Sequence, residues 1–149
     1  MKNLILSTAV MLSLTLSASA ASKEPVSEKA QKTFYTIFKD ANNVSWSNTG
    51  KQYNAFFIAD NIKTRAMFDA KGNLVQTIRY YGEEELPENV LYSVKKTYKG
   101  KEVFGVTEVA NQYGVHYRIV LKDEKTYTHI NANNMGETEV VSKYKRADK

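Results

Sequence analysis

Residues 86–100 read LPENVLYSVKKTYKG, and they decide the fold because they repeat, in different letters, the pattern of residues 27–41, SEKAQKTFYTIFKDA. Pro87 stands where a helix needs no N–H, Val90, Leu91, Val94 and Tyr98 recur at helical spacing, and Gly100 suits the left-handed residue that ends many helices. In the earlier segment Ala30, Phe34, Ile37, Phe38 and Ala41 form the same stripe, with Ser27 as N-cap and Asn42-Asn43 as stop.

Each helix is followed by four strand-like runs. After the first come VSWS (44–47), QYNAFFIA (52–59), KTRAMFDA (63–70) and LVQTIRYY (74–81); after the second come VFGVTEVA (103–110), VHYRIVLK (115–122), KTYTHINA (125–132) and ETEVVSKYK (137–145). These runs are rich in β-branched and aromatic residues and are separated by Gly, Asn and Asp. Helix plus four strands, twice, predicts an α+β fold. Tandem α-β(4) repeats, at about residues 24–82 and 83–145, form one antiparallel sheet with two helices packed on one face, since one helix cannot cover four strands alone.

The ends of the chain predict its address. Lys2 precedes an apolar run from Leu4 to Leu16, then Ala18-Ser19-Ala20, which together make residues 1–20 a secretory signal peptide. A transmembrane helix needs about 20 apolar residues, more than this run supplies. The expectation is an exported protein, periplasmic or extracellular, with residues 21–149 as one domain and no membrane insertion after cleavage.

The chain has no cysteine, which excludes disulfides, thiolate metal sites and a Cys nucleophile. Export without disulfides points to a bacterial envelope protein held together by packing. The formal charge is +5, and +4 once Lys2 is removed. The Lys residues are scattered rather than gathered on one face, so no nucleic-acid partner is expected.

Asp69-Ala70-Lys71-Gly72-Asn73 resembles a calcium loop only superficially, because Lys71 occupies the third position, where an oxygen ligand belongs. Aligned with Asn131-Ala132-Asn133-Asn134-Met135-Gly136, it keeps its Gly while Asn131 replaces the Asp and one residue is added. It reads as a hairpin turn. The two histidines, His116 and His129, fall on neighbouring strands, and with Asp69 or Glu139 would make a weak metal site; two His alone are half of what a catalytic zinc takes. Glu83-Glu84-Glu85 reads as a solvated linker before a helix N-terminus. No nucleophile elbow, phosphate loop or zinc-protease motif is present. The chain is therefore read as non-enzymatic, with no cofactor.

Strand alternation divides the sheet. With Tyr53, Ala55, Phe57, Ala66, Phe68, Tyr117, Ile119 and Leu121 toward the helices, the other side receives Phe56, Ile58, Arg65, Met67, Thr77, Arg79, His116, Arg118, Val120, Tyr127 and His129. Aromatic, Arg and Met side chains are the types that protein-binding patches favour. The partner-binding set expected is Phe56, Ile58, Arg65, Met67, Arg79, His116, Arg118, Tyr127 and His129, the partner an envelope protein or peptide and the chain itself a monomer. Two other readings remain open: a metal-dependent hydrolase using His116 and His129, and an assembly protein pairing through edge strands.

Asn43-Val44-Ser45-Trp46, Tyr53-x-Ala55-x-Phe57, Ala66-x-Phe68-Asp69-x-x-Gly72-x-Leu74, Leu86-Pro87, Tyr98-x-Gly100 and Gly114-x-x-Tyr117, in that order, resemble the bacterial PepSY-like, beta-lactamase-inhibitor-protein-like (BLIP-like) exported family. The similarity covers nearly the whole chain after residue 20. It implies tandem α-β units, helices on one face and no catalytic residues. In the inhibitor relatives it also implies an open sheet face that grips a partner protein, as an inhibitor or regulator. The second turn departs from the Phe-Asp-x-x-Gly pattern.

Overall fold

The computed structural model describes residues 25–147; the signal peptide expected at residues 1–20 lies outside the described residues. Helix α1 (Glu28–Ile37) leads into strands β1 (Asn42–Asn48), β2 (Gln52–Ala59), β3 (Ile62–Asp69) and β4 (Leu74–Tyr81). A 3-10 turn (Glu83–Glu85) and helix α2 (Glu88–Thr97) follow, then β5 (Glu102–Asn111), β6 (Gly114–Lys122), β7 (Thr126–Asn133) and β8 (Thr138–Lys145). The eight strands form one antiparallel sheet in chain order, with β1 and β8 at its edges. Among the described residues, no helix is long and apolar enough to cross a membrane.

The helices correspond turn for turn. Ala30 and Phe34 in α1, and Val90 and Val94 in α2, are the buried residues. Ser27 and Pro87 sit at the N-cap positions without side-chain caps; their carbonyls accept the N–H of Gln31 and Leu91. Phe38 and Tyr98 close the helices by donating to Phe34 and Val94. Helix α1 stops at Ile37, earlier than the Asn42-Asn43 pair, which instead opens β1, with Asn43 at φ 53° in the left-handed region that Asn tolerates. Nor is the acidic triplet a loose linker, since it forms the 3-10 turn and Glu83 pairs with Lys95 of α2 at 2.5 Å.

Register shows that both helices cover one face. Phe57, Thr64, Arg79, Glu108, Tyr117 and Ala132 are successive partners from β2 to β7, and cross-strand partners lie on the same face. Phe57 packs with Ala30 and Phe34, whereas Tyr117 and Ala132 pack with Val90 and Val94.

The duplicated units bury different materials. Under α1, Phe34 meets the rings of Trp46 and Phe57 edge-on at centroid distances of 5.2 and 4.9 Å. Under α2 the cluster is mainly aliphatic, with Val90, Val94, Val106, Ile119, Leu121 and Ile130 around the ring of Tyr117. Val94 holds the place of Phe34, so the smaller helix residue is matched by branched strand residues that refill the volume.

The hairpin turns β3–β4 and β7–β8 lie against the helix N-termini. Gly72 has φ +85°, and a Cβ there would meet the Cβ of Lys29 at 2.7 Å and the nitrogen of Ala30 at 2.8 Å. At Gly136, also at φ +85°, a Cβ would meet the Ser93 hydroxyl at 2.6 Å and the Asn89 carbonyl at 3.0 Å. The residue equivalent to Asp69 is thus Asn133, three before the glycine, and not Asn131. The two turns are equal in length and no residue is added.

Candidate functional site

The face opposite the helices is a surface of strands that no element covers among the described residues. One row across it runs Phe56, Arg65, Ile78, Val109, His116 and Asn133; its neighbour runs Ile58, Lys63, Tyr80, Thr107, Arg118, Asn131 and Glu139. Although no helix lies above them, Asn54 and Val109 are only 1% and 6% exposed, because side chains of the same face enclose them. Phe56 and Tyr80 stand out at 42% and 47%, so the face has a filled floor and projecting rings.

Arg65 is held in place. Its Nε and Nη2 donate to the Asn54 carbonyl oxygen at 3.0 and 2.8 Å, and its guanidinium lies over the Phe56 ring at 5.5 Å. A neutral acceptor leaves the charge of Arg65 uncompensated. Met67 accepts a weak bond from Gln76 on the same side. Near β8 a second aromatic group forms, with Tyr127 between Phe104, edge-on at 5.4 Å, and the Arg146 guanidinium at 5.5 Å, and with His129 edge-on to Tyr144.

Of the residues expected on this face, Phe56, Ile58, Arg65, Met67, His116, Arg118, Tyr127 and His129 are there, as is Val120. Arg79 is not, and neither is Thr77. Arg79 registers with the buried Thr64 and with Glu108, on the helix-bearing side. There its Nη1 pairs with Glu108 at 3.2 Å, and the Tyr81 hydroxyl donates to the same carboxylate at 2.5 Å. Burial, then the hydrogen bond to Glu108, pushes the Tyr81 hydroxyl far above the ordinary phenol value of 10.0; burial also raises Tyr117. This polar group lies where β4 meets β5, at the seam between the two cores. Its work is structural.

The reversal has a local cause. A bulge between Met67 and Phe68 pairs Phe68 with Leu74 and Met67 with Gln76, so Val75 is passed over and the alternation of β4 is reset. Ile78 and Tyr80 consequently belong to the open face, as do Val109 and Phe104, none of which sequence patterning placed there. No local signal marks the bulge.

His116 and His129 share the face but do not meet. His116 registers with Asn133 and His129 with Val120, four residues further along β6, or about 13 Å. His116 borders a hollow with Asn131, Glu137 and Glu139, yet the Glu139 carboxylate is bonded to the Asn131 amide and that of Glu137 to the Asn133 amide. No group of three His, Cys, Asp or Glu suited to a metal occurs among the described residues. Asp69 is occupied by its own turn, accepting from the N–H groups of Lys71 and Asn73 and from the Asn73 side chain. These bonds, the Asn73 side chain foremost, hold its pKa below 3.8.

An eight-stranded antiparallel meander carrying two helices on one face defines the fold as that of the BLIP-like proteins. Similar solved structures include a BLIP-like protein from Bacteroides fragilis NCTC 9343, at TM-score 0.64 and 19% identity over 84% of this chain and 89% of that one. A DUF2874 family protein from Bacteroides ovatus ATCC 8483 matches at TM-score 0.65 and 19% identity, over 84% and 91% of the two chains. A Bacteroides eggerthii DSM 20697 protein, named provisionally as periplasmic, matches at 0.61 and 17% over 81% and 89%. No protein-family model matches the sequence, and no curated protein does.

Proposed function

We propose that the chain is an exported, monomeric, non-enzymatic binding protein that holds a protein or peptide on its open sheet face, as an inhibitor or regulator. The observation that carries this reading is the open face itself: a floor enclosed around Val109 and Asn54, with Phe56, Tyr80 and Arg118 projecting from it and, among the described residues, no element above. Strands already paired in a sheet lose little conformational entropy on binding, which favours such a surface as a docking platform. The likeness of fold to BLIP-like proteins and to a protein named provisionally as periplasmic supports the class and the location. The wider PepSY-like relationship, drawn from the order of the sequence motifs, belongs to the same proposal.

The test is recovery of partners from an envelope extract by the mature protein and by a Phe56→Ala, Arg118→Ala variant. The reading expects the partner to be lost from the variant while its thermal midpoint stays within a few degrees. Unchanged recovery refutes it. A sharp loss of stability in the variant would instead assign the two residues to the core.

A further inference from the structure

We propose that the segment held by the open face is an acidic, extended polypeptide, an inference that rests on the function proposed above and specifies its partner. Lys63, Arg65 and Arg118 share two adjacent rows of the face. None of them takes part in an ion pair among the described residues. The acids of that side lie at its margins: Glu102 is paired with Lys122 at 3.5 Å, and Glu139, on the edge strand β8, accepts from the Asn131 amide at 2.9 Å and keeps its charge there. The middle of the face is thus cationic without internal compensation, and an incoming carboxylate meets attraction with no native pair to displace.

The spacing selects the shape of the ligand. Lys63 on β3 and Arg118 on β6 are three strand spacings apart, about 14 Å. An extended chain crossing the strands advances about 3.4 Å per residue, so carboxylates four positions apart reach both cations. Between the two stand Tyr80 and Thr107, the Tyr80 ring offering apolar contact to the intervening residues. A single-stranded nucleic acid fits less well. It needs a continuous track of cations and flat rings for successive bases, whereas the centre of this face is β-branched, at Ile78 and Val109.

A random peptide library displayed on phage, selected against the immobilised mature protein, tests this directly. Enriched peptides are expected to carry Asp or Glu pairs about four residues apart. A synthetic peptide of the enriched sequence should weaken with added salt and bind about tenfold more weakly to a Lys63→Gln, Arg118→Gln variant of unchanged melting temperature. Its Lys-for-acid counterpart should bind a Lys63→Glu, Arg118→Glu variant instead. Enrichment of neutral or basic peptides that are lost in Phe56→Ala would overturn the acidic class and leave the binding face standing. Peptides indifferent to every open-face substitution, or no enrichment at all, would overturn both. Tighter binding of single-stranded oligothymidine than of any acidic peptide would overturn the proposal in favour of nucleic acid.

Discussion

Asn133 occupies in the second unit the place that Asp69 holds in the first, and each pairs with the residue four positions on, in opposite sense. Asp69 accepts from the Asn73 amide at 3.0 Å, whereas Asn133 donates to the Glu137 carboxylate at 2.6 Å. The backbone bonds are the same in both: the carbonyl of Asp69 or Asn133 accepts from Gly72 or Gly136, and its side-chain oxygen accepts two turn N–H groups. Duplication has kept the geometry while exchanging which partner is the acid.

The exchange predicts non-additivity. Asn133→Asp alone places two carboxylates together and removes a donor, and should cost about 1 kcal/mol. Adding Glu137→Asn recreates the Asp69–Asn73 arrangement and should restore most of that loss, read from urea midpoints of the two single variants and the double. Simple addition of the two costs would contradict the equivalence.

Asp69 also predicts acid sensitivity. Its pKa in the folded chain lies below the ordinary 3.8, so the stability it contributes is complete at neutral pH and is lost as pH falls below about 4 through the folded value. Asp123 behaves alike: bonds from Lys101 first, then from the turn N–H of Lys125, hold its carboxyl well below the usual range. Melting followed from pH 7 to pH 2 should fall less steeply in Asp69→Asn than in the natural chain. Parallel curves would remove Asp69 from the account.

Gly72 and Gly50 both have positive φ, but of the two only Gly72 lies against a helix; a Cβ at Gly50 would meet nothing within 4 Å. Gly50→Ala should cost about 1 kcal/mol for its backbone conformation. Gly72→Ala must in addition push α1 from its strand bed and should cost about 3 kcal/mol or more. Equal thermal shifts would show that the turn does not support the helix.

At the seam, Glu108→Ala leaves Arg79 unpaired and the Tyr81 hydroxyl without its acceptor, for a cost of about 1–3 kcal/mol. Because the Tyr81 pKa is raised, its contribution is full below pH 10 and is lost as pH rises above it. Tyr81→Phe should therefore flatten the alkaline limb of the stability profile. Arg79→Ala should lower stability and leave partner recovery unchanged.

The helices and strands were legible because their signals are local. Ala30, Phe34 and Phe38, like Val90, Val94 and Tyr98, repeat at helical spacing, and Gly or Asn punctuates each hairpin. The open side of the sheet was legible on β2, β3, β6 and β7, where large apolar residues fix the parity. Strand β4 resisted because Ile78, Tyr80 and Tyr81 put apolar groups on both sides, and because the passed-over Val75 is visible only once β3 is paired with it. The second turn was misaligned for a similar reason: with Asn131, Asn133 and Asn134 crowded together, only the approach of Gly136 to α2 identifies Asn133 as the turn's first residue.

The most direct measurement of whether the open face is the binding surface is photo-crosslinking from a reactive phenylalanine analogue placed at position 80 or at position 92. Tyr80 projects from the open face and Tyr92, 66% exposed, from α2. Irradiation in envelope extract should give a discrete adduct from position 80 and none from position 92. An adduct of the same mass from position 92, with none from position 80, would place the partner on the helices and contradict the account.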